Sequence, residues 1–218
     1  FIVSPTPRKA FILRGYAGTG KTSIMAALVG ALHDLQQRIV LLAPTGRAAK
    51  VLSGYAHVPA YTIHKYIYRA RSKSAPSLED ATLQFKGERQ AFSLRDNLHK
   101  NTLFIVDEAS MISGQRDNPI FGSGMLLEDL VRYVYSGEGC SMLLLGDDAQ
   151  LPPVGSSQSP ALDENYMSGY QLDIHSHTLT QVARQASDSS ILDNATRLRP
   201  FALGEQAMRK KCEEAMWD

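Results

Sequence analysis

At 218 residues the chain has room for one domain, or one domain with an appendage, because domains usually run to about 100 to 200 residues. Its 44% hydrophobic and 21% charged residues describe a globular chain with a real core and exclude a disordered one. The net charge of +1, from 23 Lys and Arg against 22 Asp and Glu, predicts no polyanionic partner by itself. No run approaches the roughly 18 consecutive apolar residues of a membrane span, and FIVSPTPRKAFILRG lacks the basic start and apolar run of a signal peptide. Cys140 and Cys212 are too few for a disulfide framework or a Cys-rich zinc site. The chain therefore reads as cytoplasmic, without a membrane partner, and its start at Phe1 rather than Met reads as that of a fragment.

In chain order, the first element is the apolar run AFIL, Ala10 to Leu13, followed by a glycine-rich turn. Ile24, Ala27, Leu28, Ala31, Leu32 and Leu35 then recur at helical spacing, which predicts one apolar stripe on a helix from about Lys21 to Gln36. RIVLLA, Arg38 to Ala43, completes a β-α-β unit, and Thr45 is placed to cap a short helix through Val51 and Leu52. Residues 72–100 are polar with a weak strand pair around LQF and AFSL. TLFIV (Thr102 to Val106) and SMLLLG (Ser141 to Gly146) read as strands buried on both faces, with Leu127, Leu130, Val131 and Val134 marking a helix between them. Residues 114–124 and 155–170 read as loops, and His175 and His177 alternate in a possible edge strand with no third metal ligand. The tail carries Ile191, Leu192, Ala195 and Leu198 at helical spacing, with a final helix from about Glu205. Strands alternating with helices predict an α/β fold with a mostly parallel, doubly wound sheet.

GYAGTGKT, Gly15 to Thr22, fits G-x-x-x-x-G-K-[ST] between a strand and an amphipathic helix, the context such a loop needs. Backbone N–H groups of Gly15, Tyr16, Ala17, Gly18, Thr19, Gly20, Lys21, Thr22 and Ser23 would turn around a phosphate resting on the helix N-terminus. Lys21 would reach the β- and γ-phosphates of ATP, and Thr22 would ligate Mg²⁺. LFIVDEAS supplies the remaining chemistry at the end of a buried strand: Asp107 for the Mg²⁺ shell and Glu108 as general base for the attacking water. By itself a DE pair after a strand is as well explained by a helix cap; the phosphate loop gives it its meaning. Asp147 and Asp148 read as orienting their neighbours, and Ser110 lacks the paired base of a nucleophile.

Charge is unevenly distributed. No acidic residue lies between Asp34 and Glu79, whereas Arg38, Arg47, Lys50, Lys65, Arg69, Arg71 and Lys73 all do, making this segment +7 and the remainder −6. Tyr55, Tyr61, Tyr66 and Tyr68 are interleaved with these cations, as in a single-strand nucleic-acid groove. On charge alone a solvated basic face with half-buried tyrosines fits as well.

Taken together, the motifs resemble those of the first RecA-like domain of superfamily 1B DNA helicases, the group of RecD-like and Dda-like enzymes that includes exonuclease V alpha subunits. GYAGTGKTS is similar to motif I, LLAPTGRAAKVLS to Ia, YTIHKYIY to the Ib region, LFIVDEASMI to motif II, LLLGDDAQLPPVG to motif III and LTQVARQ to motif IV, covering Ala10 to Gln185 in family order. The resemblance implies that Gln150 senses the γ-phosphate and that Arg184 contacts it. It also implies that Pro44, Thr45, Gly46, Arg47, Thr62 and His64, with Lys65 beside them, meet single-stranded DNA. Residues 1–71 and 101–200 would form the ATP-binding domain, 72–100 a small inserted hairpin, and 201–218 a helix leading to a second motor domain. Only 14 residues precede Gly15, and none is the adenine-reading Gln of family members.

The resemblance thus implies an ATP-dependent DNA helicase or translocase, represented by the nucleotide-binding half of its motor. Its partner is single-stranded DNA, with further subunits of a recombination or repair complex admitted by the same resemblance. Two other readings compete: a nucleotide-dependent DNA-binding module with little ATPase by itself, and a P-loop ATPase unrelated to DNA. The QLPPVG segment and the acid-free stretch speak against the second.

Overall fold

A computed structural model describes residues 1–2, 6–70, 92–150, 152–153, 155–156 and 158–180. Arg184, the LQF strand, Cys212 and the expected C-terminal helices lie outside the described residues.

The four apolar runs, with Ala60–Thr62 and Asp173–Leu179 added at the two edges, become the strands of one wholly parallel sheet. They are β1 (Lys9–Gly15), β2 (Arg38–Ala43), β3 (Ala60–Thr62), β6 (Thr102–Val106), β7 (Ser141–Gly146) and β8 (Asp173–Leu179). Their order is β3-β2-β6-β7-β1-β8. β6 and β7 are buried along their whole length, as strands covered on both faces must be. Alternation divides their side chains between two cores. Ala10, Ile12, Leu42, Phe104, Val106, Met142 and Leu144 enter one, and Leu13, Leu41, Leu103, Ile105, Leu143 and Leu145 the other.

Helices α1 (Lys21–Asp34) and α2 (Gly46–Ala56) cover the second core; α3 (Ile63–Ile67) and α4 (Leu126–Ser136) cover the first. The expected stripe of α1 holds at Leu32 and is corrected elsewhere: Met25 and Val29 are buried beside it, whereas Ile24 is 43% exposed and Leu35 75%. Residues 24–32 of this helix are apolar or glycine without a break, so spacing alone selects no face, and the sheet beneath takes the stripe carrying Met25 and Val29. In α4 the expected Leu127, Leu130, Val131 and Val134 are all buried, joined by Asp129 and Tyr133.

Two further expectations change. The 155–170 loop contains a 3₁₀ turn (Pro160–Leu162) and helix α5 (Glu164–Ser168), whose N-cap Asp163 accepts from the N–H groups of Asn165 and Tyr166. The FSL strand, β5 (Phe92–Leu94), pairs antiparallel with β4 (Tyr68–Ala70) in a separate two-stranded ribbon. Residues 114–124 are irregular as expected, with Phe121 stacked on Phe92 at 4.7 Å between ring centroids. His175 and His177 lie exposed on the edge strand β8. Among the described residues no three His, Cys, Asp or Glu side chains cluster as a metal site, and no helix is long and apolar enough to cross a membrane.

Candidate functional site

Because every strand of the main sheet runs the same way, their C-terminal ends share one edge, and the turns that leave them meet there. Gly15 ends β1, Pro44 follows β2, Asp107 follows β6 and Asp147 follows β7. The Asp107 N–H donates to the Leu42 carbonyl at 3.0 Å, tying the β6 exit to β2.

The Gly15–Gly20 turn is closed by Thr19, whose Oγ1 and N–H both donate to the Tyr16 carbonyl, at 2.7 and 3.2 Å. A Cβ at Gly15 would stand 2.6 Å from Thr19 Oγ1, and Gly20 has φ 87, so both positions require glycine. Gly20 caps α1 without a side-chain bond, and no acidic residue lies in the first helical turn. Its first N–H groups and the positive end of the helix dipole therefore face the turn, an arrangement complementary to phosphate. Thr22 and the exposed Ser23 lie in that first turn.

Lys21 bends over this cradle. Its Nζ donates to the carbonyls of Gly15 and Tyr16, the latter at 3.1 Å, and lies 3.9 Å from Asp147 Oδ2. Burial pulls the ammonium below its ordinary pKa, against the pull of Asp147, Glu108, Asp107 and Asp148. Asp107 Oδ1 accepts from the Glu108 N–H at 2.9 Å, and burial raises the Asp107 pKa.

Glu108 has φ 52 and ψ 37, a left-handed conformation that a residue with a β-carbon seldom adopts. Its carboxyl is raised by burial and then by Asp107, while a hydrogen bond from Gln150 acts the other way. Gln150 Oε1 in turn accepts from the buried Ser110 hydroxyl at 3.3 Å, so Ser110 orients Gln150. Asp147 holds the same turn, its Oδ1 accepting from the Ala149 N–H at 2.9 Å and its carbonyl from the Gln150 N–H at 3.2 Å. The expected Lys21, Thr22, Asp107, Glu108 and Gln150 thus gather at one edge; Arg184 lies outside the described residues.

The other expected residues form a second group. Ala43 and Thr62 are register partners of β2 and β3, so Pro44 and Thr45 leave the sheet beside Thr62 and Ile63. Thr45 and Thr62 are both N-caps, accepting from the N–H groups of Ala48 at 3.2 Å and Lys65 at 3.3 Å. Gly46, Arg47 and Lys65 are exposed, as are Tyr55 and Tyr61. Tyr61 and Tyr66 lie 5.4 Å apart, whereas Tyr68 is buried. His64 is half-buried with its ring edge-on to Phe121 at 5.0 Å, and burial lowers its pKa.

Asp147, read from sequence as orienting its neighbours, faces Lys21 at the strand end beside the phosphate loop. Sequence reasoning passed over one residue here. Arg14, a lone charge between the apolar AFIL run and Gly15, carries a network of its own.

A parallel α/β sheet with a phosphate loop at its edge, an acidic pair on the neighbouring strand and a polar sensor turn beyond defines a RecA-like P-loop domain. The AAA domain family model matches residues 3–210. The chain belongs to that family, as a RecA-like motor domain of the superfamily 1B helicase type, and nucleotide use comes with it. Curated relatives include the ATP-dependent DNA helicase dda of Enterobacteria phage T4, 29% identical over 188 residues. The match covers 86% of this chain and 37% of the phage protein. The ATP-dependent RecD2 DNA helicase of Deinococcus radiodurans is 29% identical over 84% of this chain and 21% of its own length. An uncharacterized mimivirus protein, R530, is 28% identical over 78% of this chain and 35% of its own. The chain therefore spans well under half of these relatives. The crystal structure of Pif1 helicase from Candida albicans shares the fold, with a TM-score of 0.52 and 20% identity over 94% of this chain and 44% of that one.

Proposed function

We propose that the chain is the nucleotide-binding half of an ATP-driven motor acting on single-stranded DNA. The observation that carries this reading is the convergence of an uncapped helix N-terminus, Lys21, Asp107, Glu108 and Gln150 at one sheet edge, with Thr45, Thr62 and exposed cations at the neighbouring strand ends. Relatives whose names describe ATP-dependent DNA helicases support it.

In this reading the N–H groups of Gly15 to Thr22 hold the β- and γ-phosphates of ATP, and Lys21 leaves its carbonyl partners to pair with them. The hard oxygen donors of Thr22 and Asp107 fit Mg²⁺, which takes few protein ligands beside phosphate. The ion would supply neutralising charge at the transferred phosphoryl group. Glu108 accepts the proton of the attacking water, and Gln150 holds that carboxylate. Arg184 contributes a further cation to the γ-phosphate. Arg47 and Lys65 meet DNA phosphates, while Thr45, Thr62 and His64 add uncharged contacts with Pro44 and Gly46. Residues 1–71 and 101–200 are the ATP-binding unit, and 72–100 the inserted hairpin, rooted in the β4–β5 ribbon.

The test is steady-state ATPase of the intact protein with and without single-stranded DNA, beside Lys21→Ala. DNA-stimulated turnover in the wild type, and its loss in Lys21→Ala together with weakened nucleotide binding, is the expected result. Wild-type turnover in Lys21→Ala would overturn the phosphate site. Tight nucleotide and DNA binding with negligible turnover in either condition would instead make this a binding module.

A further inference from the structure

Arg14 is the last side chain of β1 before the phosphate turn. It is in register with Gly146 on β7 and Thr178 on β8, and strand alternation puts it on the face that carries Ala10 and Ile12. There its guanidinium meets the chain at two points. The first is Asp148, just beyond the end of β7, whose Oδ2 lies 3.5 Å from Nε. The second is the returning chain after the QLPPVG segment. Nε and Nη2 donate to the Leu162 carbonyl at 3.0 and 2.6 Å, and Nη1 donates to Glu164 Oε1 at 2.9 Å.

Neighbouring contacts hold this arrangement in place. Glu164 Oε1 also accepts from Ser176 Oγ on β8 at 2.7 Å, and these two donors keep its carboxyl below the ordinary range, Ser176 first. The Leu162 side chain lies so close to the end of β7 that a Cβ at Gly146 would stand 2.6 Å from its Cδ1. Arg14 is only 16% exposed, so its interactions are less screened than those of an open surface pair. The planar fork of donors suits this task, which a lysine ammonium would perform with weaker directionality.

Between Asp148 and Leu162 the chain makes a loop, and Gln150 stands on its outgoing limb. We propose that Arg14 is a positioning residue that closes the neck of this loop and thereby fixes Gln150 where its Oε1 meets the Ser110 hydroxyl, on the turn beside Glu108. This inference rests on the roles given above to Gln150 and Glu108. The guanidinium touches neither of them and acts through Asp148 and Leu162. Displacing Gln150 breaks its bonds to Ser110 and to the Asp147 carbonyl at the edge where Glu108 stands, which affects turnover, while the Gly15–Thr22 cradle keeps its own contacts.

The experiment uses the intact protein saturated with single-stranded DNA and compares Arg14→Met, which keeps length without charge or fork, with Arg14→Lys and Glu164→Gln. Turnover is counted per nucleotide-binding site, so misfolded material does not enter. Arg14→Met should lower kcat about tenfold, since small misplacements of reacting groups are this costly. KM and the Kd of a fluorescent ATP analogue should stay within about twofold. Arg14→Lys should recover part of the loss, and Glu164→Gln should show a smaller one. Should Arg14→Met fail to fold, Asp148→Asn, on a side chain 36% exposed, carries the same expectation for kcat. Unchanged kcat per site in Arg14→Met, or in Asp148→Asn where that variant stands in for it, would overturn the proposal, as would a tenfold rise in KM at constant kcat. A Lys21→Ala variant with wild-type turnover would defeat the underlying phosphate-site reading; an inactive Lys21→Ala beside a fully active Arg14→Met defeats the Arg14 assignment alone.

Discussion

Glu108 occupies a backbone conformation that costs on the order of 1–3 kcal/mol for a residue with a β-carbon. The cost is borne where β6 turns into the Ala109–Met111 3₁₀ turn, and it leaves the carboxyl within reach of Gln150 and beside Asp107. A residue placed only to cap that turn would donate or accept at the cap, and Glu108 makes no such side-chain bond. The proton-transfer role proposed for it predicts that Glu108→Gln keeps nucleotide affinity and loses turnover by a factor of about 10² to 10⁴. Equilibrium binding of a fluorescent ATP analogue and steady-state ATPase separate the two effects. Loss of binding along with turnover would show the residue to be structural.

The β4–β5 ribbon shows why elements differ in how well a sequence announces them. β6 and β7 are legible because unbroken apolar runs can only be strands or helices buried on all sides, and five or six residues are too short for such a helix. The three residues of β4 carry no such pattern; Tyr68–Ala70 is fixed by tertiary contacts. The Tyr68 hydroxyl donates to buried Asp129 on α4 at 2.7 Å, and the same Oδ2 accepts from the Ser123 N–H at 2.9 Å. Tyr68 also packs 5.2 Å from Phe121, so one carboxylate binds ribbon, loop and helix together. No spacing rule pairs residues 68 and 129, just as none pairs Arg14 with Leu162. The α1 stripe is only partly legible, at Leu32, for the opposite reason, since a helix apolar on several faces offers too many solutions. The phosphate loop and the Thr45 cap were legible because both are local: backbone geometry fixes them within a few residues. Tyr68→Phe should lower stability by about 1–3 kcal/mol, the cost of leaving a buried acceptor short of a donor. For a domain of this size that is roughly a 2–12 °C fall in Tm, measurable by calorimetry. An unchanged Tm would mean that the Asp129 contact is energetically neutral.

At the scale of the whole molecule, one sheet edge bears two groups of residues with different chemistry. Around β1, β6 and β7 stand the phosphate cradle and its carboxylates; around β2 and β3 stand paired threonine caps with exposed cations and tyrosines. The Asp107 N–H bond to Leu42 lies on the β2–β6 seam that joins them. A motor requires that change at one group be felt at the other, and the close-packed central strands, with β6 and β7 buried throughout, are a stiff connection between them. The phosphate group would serve any P-loop ATPase, so the claim that makes this a DNA motor rests on the second group.

The measurement that tests it is a salt titration of fluorescent single-stranded oligonucleotide binding for Arg47→Gln, Lys65→Gln, Thr45→Ala and His64→Ala in the intact protein. Both glutamine variants should bind more weakly with little dependence on base sequence. Each should flatten the slope of log K against log salt by about 0.7, the contribution of one phosphate contact on a single strand. Thr45→Ala and His64→Ala should lose affinity at nearly constant slope, because burial disfavours the charged form of His64 and threonine carries no charge. Wild-type affinity and slope in all four would show the basic stretch to be a solvated face and contradict the DNA half of this account.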